Sequence, residues 1–558
     1  MIGKESPAAV ARRLVLDARS LVKIGFRTGM ARAFGPVSLA RLGRDMIAAR
    51  RHGALAVVHA HALAEPLRPA LVSGALRLSY SELDRRVNRL THALARIGVR
   101  DGDRVGLMLQ NGHEFFELHL ALSHLGALGV QLGYRLKAEE VAYIIGHAGL
   151  KALFFHPECA PAVDEARRRS GLSRAISTRP VSGFDEYEAL LGSGRDDAPH
   201  VGPPPQGWGG VMMYTSGTTG RGKGARRDFE QMGLSAVFGL LAALPVTRDE
   251  RHLAVAPLYH ALSAIFVATV VGLGGCIVTV EHFDAEDTLA LVGSERITSS
   301  LMVPTMLSRV LALPESTRFS YDTSSLRWIM SGAAPLPTNT ARGIEDWLGP
   351  ILYNVYGATE TGLVTLAVPG EHTSRPGTIG RAIQGNELSL IGADGREVPA
   401  GRVGELYVRS RLAMDGYHGD ADATIAASRD GAISVGDLAY RDADGYYYIA
   451  DRKTDMVISG GVNVYPWEIE QRLLEHPAVD DAAVIGVPDE EWGESLVAYV
   501  VLAPDQEIDA TTLRAFVGVT LADYKRPRRV FFVDELPRNP TGKILKRELR
   551  ERYAEQSA

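Results

Sequence analysis

The sequence predicts an α/β fold: a large N-terminal domain of parallel-sheet layers plus a strand-rich subdomain, followed by a small α+β C-terminal domain. Three observations predict it. Short apolar runs alternate with amphipathic helical stretches through the first half of the chain, the pattern of βαβ units with largely parallel pairing. Strand-like segments parted by Gly and Asp turns crowd the stretch from EVPAGRVGELYVRS to DRKTDMVISGG. The end of the chain then carries its own helix, strand pair, helix and strand. At 558 residues the whole is too long for one compact core.

Taken in order, LSYSELDRRVNRLTHALARIGV places Leu83, Val87, Leu90, Leu94 and Ile97 on one helical face, with Ser79 or Ser81 as cap. DRVGLML reads as a buried strand and HEFFELHLALSHLGAL as the next helix. LKALFF is a strand, and ITSSLMVPTMLSRVLAL a strand running into a helix. The Pro/Gly-rich residues 195–210 form a surface connection. Residues 253–280 contain no charged side chain, enough to raise the question of a membrane span. Pro257, His260 and the Gly272, Gly274 and Gly275 cluster divide them into a loop, a short helix and a strand, so buried core is predicted. In PWEIEQRLLEHP, Pro466 starts a helix with Ile469 and Leu473 on one side. AAVIGV, LVAYVVL and RRVFFV follow as strands, and PRNPTGKILKREL as a basic tail. These divisions give a basic arm over 1–60, a large domain over 61–451 and a small domain over 452–558.

Charge narrows the partners. Residues 1–51 hold eleven Lys/Arg against three Asp/Glu, or +8, which leaves −13 of the net −5 for the remainder. An acidic body argues against nucleic acid as the main partner. The arm interleaves apolar and basic residues, as in LVLDARSLVKIGF; it reads either as a solvated surface helix pair or as a peripheral contact with anionic membrane. It lacks the apolar core of a signal peptide, and Cys159 and Cys276 stand in no ligand spacing, so a cytoplasmic protein with reduced thiols is expected.

The densest motif is YTSGTTGRGKGARR. Four glycines and four hydroxyls between Thr215 and Gly224, with Lys223, suit a polyphosphate: glycine lets N–H groups approach oxygen, and hydroxyls and the ammonium add donors and charge. It misses the P-loop pattern G-x-x-x-x-G-K-[ST] by one residue, because Gly224 stands where a magnesium-binding Ser or Thr is required. Arg226 and Arg227 read as phosphate sensors or surface ion pairs, with ion pairs favoured.

Six further segments follow in order: PLYH at 257–260, SGAAPL at 331–336, YGATE at 356–360, VGD at 435–437, DRKTDMVISGG at 451–461 and PRNPTGK ending at Lys543. With the loop, they resemble the adenylate-forming (AMP-binding) superfamily of acyl-CoA synthetases, aryl-CoA ligases, luciferases and peptide-synthetase adenylation domains. The resemblance covers residues 78–549, and the fatty-acyl-CoA ligase type is expected. It implies ATP, magnesium and coenzyme A, with an acyl-adenylate made first and a thioester second. Thr215, Ser216, Gly217, Thr218, Thr219, Gly220 and Lys223 would hold the leaving pyrophosphate. Thr359 would contact the α-phosphate and Glu360 would bind magnesium. Tyr356 offers a flat face to adenine, Gly332, Ala333 and Ala334 a side-chain-poor strip, Asn354 a hydrogen bond to the base edge; Gly357 belongs to the same turn. Asp437 and Arg452 match the residues that hold the ribose. Lys543 matches the lysine that reaches from the mobile small domain to the carboxylate and α-phosphate, and His260 the residue beside the acyl carboxylate. Thr454 would be the hinge, and Ser459, Gly460 and Gly461 would line the pantetheine route. Gly222 departs from the family, which carries proline there; the extra freedom costs more to order when nucleotide binds.

The substrate would be a small-molecule carboxylic acid. ALSAIFVATVVGLGG, after His260, has no acid to pair with an amino-acid ammonium group, which favours an uncharged acyl chain. A medium- or long-chain fatty acid is expected first and an aryl acid next; the alternative acceptor is a carrier protein in place of coenzyme A. Oligomeric state is left open.

Overall fold

A computed structural model describes residues 27–29, 53–197, 210–215, 223–228, 241–242, 244–459, 462–489, 491–538 and 544–557. Most of the basic arm, Ser216, Gly217, Thr218, Thr219, Gly220, Gly222, Gly460, Gly461 and Lys543 lie outside the described residues.

Among the described residues the strands form three sheets. In the first, Leu128–Gln131, Arg104–Met108, Ala152–Phe155 and Ala175–Ser177 run parallel around Arg104–Met108 and extend on one side to Gly210–Thr215. Val105 to Met108 and all of ALFF are buried, because helices cover the faces. Tyr80–Arg96 begins with a reciprocal capping box between Ser79 and Glu82, which decides between the two serines. It buries Leu83, Val87, Leu90 and Leu94, while Ile97 forms its half-buried C-cap.

In the second sheet Pro69–Ser73, Cys276–Thr279, Arg251–Ala254, Ser299–Leu301, Trp328–Gly332 and Leu352–Ala358 are parallel neighbours. Pairing turns antiparallel at Gly362–Ala367 and stays so through Thr378–Ala382, Tyr447–Arg452 and Asp437–Arg441, the strand-rich section predicted from the Gly-Asp turns. The uncharged segment is strand, helix Ala261–Leu273 and strand; no described helix is long and apolar enough to cross a membrane. Its apolarity is explained by packing: Phe266, Val267, Val270 and Val271 are in the main core, and Tyr80 Oη donates to the carbonyls of Val271 and Gly275.

The third sheet pairs Val479–Asp489 with Gly493–Leu502 and adds Val457–Ser459, Val462–Val464 and Arg529–Phe532. Pro466 occupies the first turn of Pro466–Leu474, and Ile469 and Leu473 are buried against this sheet. The basic tail is not an irregular tail: Lys546–Ser557 is a helix, and Leu549 is buried beneath Tyr499.

Where the second and third sheets meet, Asp451 accepts from the Trp467 N–H at 3.1 Å, close to the ion pair of Lys546 with Glu470 at 2.9 Å. Burial raises the Asp451 carboxyl to about 6; Lys546 opposes the shift and Glu470 adds to it. The folded value lies above the unfolded one of about 4, so this group's stabilisation is fully present below about pH 4 and is lost as pH rises through about 6. Asp451→Asn is therefore expected to melt progressively higher relative to the wild type on going from about pH 5 to about pH 7.5. Parallel melting curves at both pH values would refute it.

Candidate active site

The phosphate-loop motif forms a hairpin. Gly210–Thr215 leads into it, and Lys223–Asp228 returns antiparallel, with Tyr214 opposite Gly224 and Thr215 opposite Lys223. A P-loop must run into a helix whose N-terminus faces the phosphates; this one runs into a strand, so the P-loop reading fails. Gly224 has its own reason to lack a side chain. A Cβ there would lie 3.1 Å from Met212 Sδ and 3.3 Å from the Tyr214 ring. Tyr214 Oη is 2.7 Å from His147 Nδ1, which fixes the entry to the hairpin. Lys223 Nζ lies 3.8 Å from Asp420 Oδ2 and 5.2 Å from the centre of the Tyr417 ring.

The nucleotide face is built on Leu352–Ala358 and the strands beside it. Tyr356 Oη donates to Asp437 Oδ2 at 2.5 Å, and Arg452 Nε lies 3.2 Å from Asp437 Oδ1. Three residues far apart in sequence thus form one bonded group. Burial, with the Asp437 charge second, pushes the Tyr356 phenol well above its ordinary range, so it stays a donor. Asn354 is buried, and its Oδ1 has no hydrogen-bond partner among the described residues, an acceptor left over for the amino edge of a base. Gly332 is buried with Leu262 reaching toward it, and a Cβ there would come within 2.7 Å of the Val355 carbonyl. Gly357 admits none, since a Cβ would meet the Gly362 carbonyl.

Next to Gly332, Ala333 has φ +67°, a left-handed conformation that costs an L-residue about 1 kcal/mol. Ala334 is half-buried. Ala333→Gly is expected to raise unfolding free energy by up to roughly 0.5 kcal/mol in a denaturant titration, the relieved strain slightly exceeding glycine's entropy cost. A lower unfolding free energy would count against strain at this position.

Thr359 and Glu360 follow the same strand. The Glu360 backbone carbonyl accepts from Met414 N–H at 2.8 Å, and its carboxylate Oε1 accepts from Tyr417 Oη at 3.1 Å. Glu360 is 9% exposed, so this carboxylate is held in place rather than loose at the surface. No cluster of three or more acidic, His or Cys side chains suited to a metal occurs among the described residues. A magnesium ion carried by phosphate oxygens needs one or two carboxylates and no all-protein cage, and Glu360 fits that demand.

His260 caps Ala261–Leu273, and burial lowers its imidazole to about 4, so it is neutral at ordinary pH. Its Nε2 has no partner among the described residues, and the Tyr259 ring lies 4.1 Å away, centre to centre. Thr454 is exposed between two anchored neighbours: Lys453 N–H donates to the Gly436 carbonyl, and Asp455 accepts from Arg550. Ser459 pairs with both Val462 and Gly493 at the edge of the third sheet.

Several contributors were not legible beforehand. Tyr417 and Asp420 sit in GYHGD with no chemical pattern, and only the short strand Gly416–Tyr417, paired with Lys223–Asp228, delivers them. Arg227 was expected in surface ion pairs and is instead 5% exposed, its Nη2 donating to the Thr359 carbonyl at 2.8 Å. The alternating pattern of the strand decides this, and it requires knowing that a strand follows the loop.

A nucleotide face and a phosphate hairpin converging on one acidic turn define an adenylate-forming enzyme. The chain belongs to the AMP-binding enzyme family, whose model matches residues 58–418; the AMP-binding enzyme C-terminal domain matches residues 468–543. It is 37% identical to the feruloyl-CoA synthase of an Amycolatopsis species over 491 residues, 88% of this chain and 96% of that protein. It is 33% identical to the long-chain-fatty-acid–CoA ligase FadD13 of Mycobacterium tuberculosis over 489 residues, 86% of this chain and 94% of that protein. Among solved structures it is similar to the anthranilate CoA ligase AuaEII in complex with anthranoyl-AMP, with TM-score 0.81 and 27% identity over 90% of this chain and 97% of that one.

Proposed function

We propose that the protein joins a carboxylic acid with an uncharged acyl chain to coenzyme A through an acyl-adenylate, releasing pyrophosphate and then AMP. The observation that carries this is the Tyr356–Asp437–Arg452 group, on the strand that leads into Glu360, whose carboxylate is bonded to Tyr417 of the short strand paired with Lys223–Asp228.

A carboxylate is a poor acyl donor because its charge repels nucleophiles and oxide is a bad leaving group. In the first step a carboxylate oxygen attacks the α-phosphorus, and the bond to the bridging oxygen of pyrophosphate breaks. Two anions must approach, so cations and aligned donors dominate the barrier. Lys223 and the loop hydroxyls take the leaving pyrophosphate, Thr359 donates to the α-phosphate, and Lys543 bridges the two reactants. Glu360 would hold magnesium, which would neutralise phosphate charge when bound. Asp437 accepts the ribose hydroxyls, with Arg452 and Tyr356 fixing its two oxygens. His260, uncharged, donates to the acyl carboxylate without competing for it as an ion. Rotation about Thr454 then withdraws Lys543 and brings Ser459, Gly460 and Gly461 to the site. Coenzyme A loses its thiol proton, its sulfur attacks the acyl carbonyl, and AMP leaves.

For the acid, we read a medium- or long-chain fatty acid first, supported by the uncharged helix that follows His260 and by the similarity to FadD13. An aryl acid is the second reading, favoured by the similarity to a feruloyl-CoA synthase. Pyrophosphate release screened over fatty and aryl acids, with and without coenzyme A, tests both. AMP and pyrophosphate are expected; ADP and phosphate would sink adenylation. Turnover that needs a carrier protein and ignores coenzyme A would reassign the acceptor. We place the protein in the cytoplasm, with residues 1–51 docking reversibly on anionic lipid through their +8 charge. Identical vesicle sedimentation with and without those residues would end the docking idea.

A further inference from the structure

Arg226 and Arg227 have no part in the chemistry above, and the fold treats them oppositely. Antiparallel pairing of Lys223–Asp228 sends residues 223, 225 and 227 to one face of the strand and leaves Arg226 exposed on the other. On the inner face Ala225 packs with Met414 and Tyr417. Lys223 meets Tyr417 at one end of this face; at the other, Arg227 Nη2 donates to the Thr359 carbonyl at 2.8 Å. Glu360 lies between, held by Tyr417 Oη and by Met414 N–H. The Thr359–Glu360 turn is thus pinned from three sides, and Arg227 is the side that ties it to the phosphate-loop hairpin.

The electrostatics are unusual for a structural brace. The Arg227 guanidinium is 5% exposed, with the charges of Asp415 and Glu360 near it and neither in a direct ion pair with it among the described residues. Its Nε has no hydrogen-bond partner among the described residues. A buried cation with so little compensation is poor support for a fold on its own account. We propose that Arg227 is a positioning residue for the adenylation half-reaction. It sets the Thr359–Glu360 turn against the phosphate hairpin, so that a magnesium-bound nucleoside triphosphate meets both in a preset geometry. This rests on the adenylation reading.

The test compares binding of magnesium and α,β-methylene-ATP, by calorimetry, to the wild type, R227M, R227K and R226A. R227M keeps side-chain length without charge and is expected to bind at least tenfold more weakly. R227K retains a charged donor without the planar fork and should recover part of the loss, and R226A should stay within twofold. In the half-reactions, R227M should raise KM for ATP at least tenfold while changing thioester formation from supplied acyl-AMP less than threefold. Unchanged nucleotide affinity in R227M, or equal losses in both half-reactions at constant KM, would overturn the proposal in favour of a plain packing role. Should R227M fail to fold, R227K carries the comparison, with a two- to fivefold weakening expected and unchanged affinity overturning it. A wild type that binds no nucleotide would sink the adenylation reading itself, a result distinct from wild type and R227M binding alike.

Discussion

Lys543→Ala is expected to slow acyl-adenylate formation by about 100-fold or more while leaving thioester formation from supplied acyl-AMP within a few-fold. The asymmetry comes from where charge develops. In adenylation a carboxylate closes on a phosphate, and the lysine is the cation placed between them; in thioester formation the nucleophile meets a neutral carbonyl and AMP departs. The described residues on either side are anchored: Arg538 pairs with Ile544, Arg538 is bonded to Asp481 of the third sheet, and Lys546–Ser557 is a helix. An alanine there removes an ammonium group between anchored flanks, so the fold should be kept. The measurement is the pair of half-reactions on one preparation, and equal losses in both would contradict the assigned role.

Glu360→Gln should be the second largest loss, about 10²–10³-fold in adenylation at limiting magnesium, with part of it recovered as magnesium is raised. Glutamine can still accept from Tyr417 Oη and leaves the Met414 bond to the main chain untouched, so the turn keeps its shape. What disappears is the negative charge, and with it affinity for a hard divalent cation. Arg227 loses one of the two carboxylates that offset its burial, so a lower melting temperature is also expected. Magnesium dependence identical to that of the wild type would remove Glu360 from the metal role.

The helices and parallel strands of the first half, and the first helix of the small domain, were legible because their patterns are local. Ser79 with Glu82, the spacing of Leu83, Val87, Leu90 and Leu94, and Pro466 before Ile469 each act within a turn or two of chain. The loop's phosphate character was equally local, a matter of glycine and hydroxyl density. Arg227 was misread for the opposite reason. Nothing in GARRDFEQ says that a strand follows, or which face of it meets the Thr359 carbonyl, 132 residues further on. The final helix was missed because a basic run looks solvated until Leu549 is seen beneath Tyr499.

By itself the sequence determined the phosphate character of one loop and the order of seven motifs, and through that order the family resemblance that implies roles for Glu360, Asp437, Arg452 and Lys543. Glycine and hydroxyl density suffices for the first because phosphate demands close donors wherever it binds; the other roles rest on the resemblance. Only the tertiary structure decided how those groups work on one another. It replaced the P-loop helix with a returning strand, joined Tyr356, Asp437 and Arg452 into one group, and put Arg227 behind Glu360. Such couplings depend on strand register between segments 57 to 132 residues apart, and on burial that no single segment carries in its own pattern.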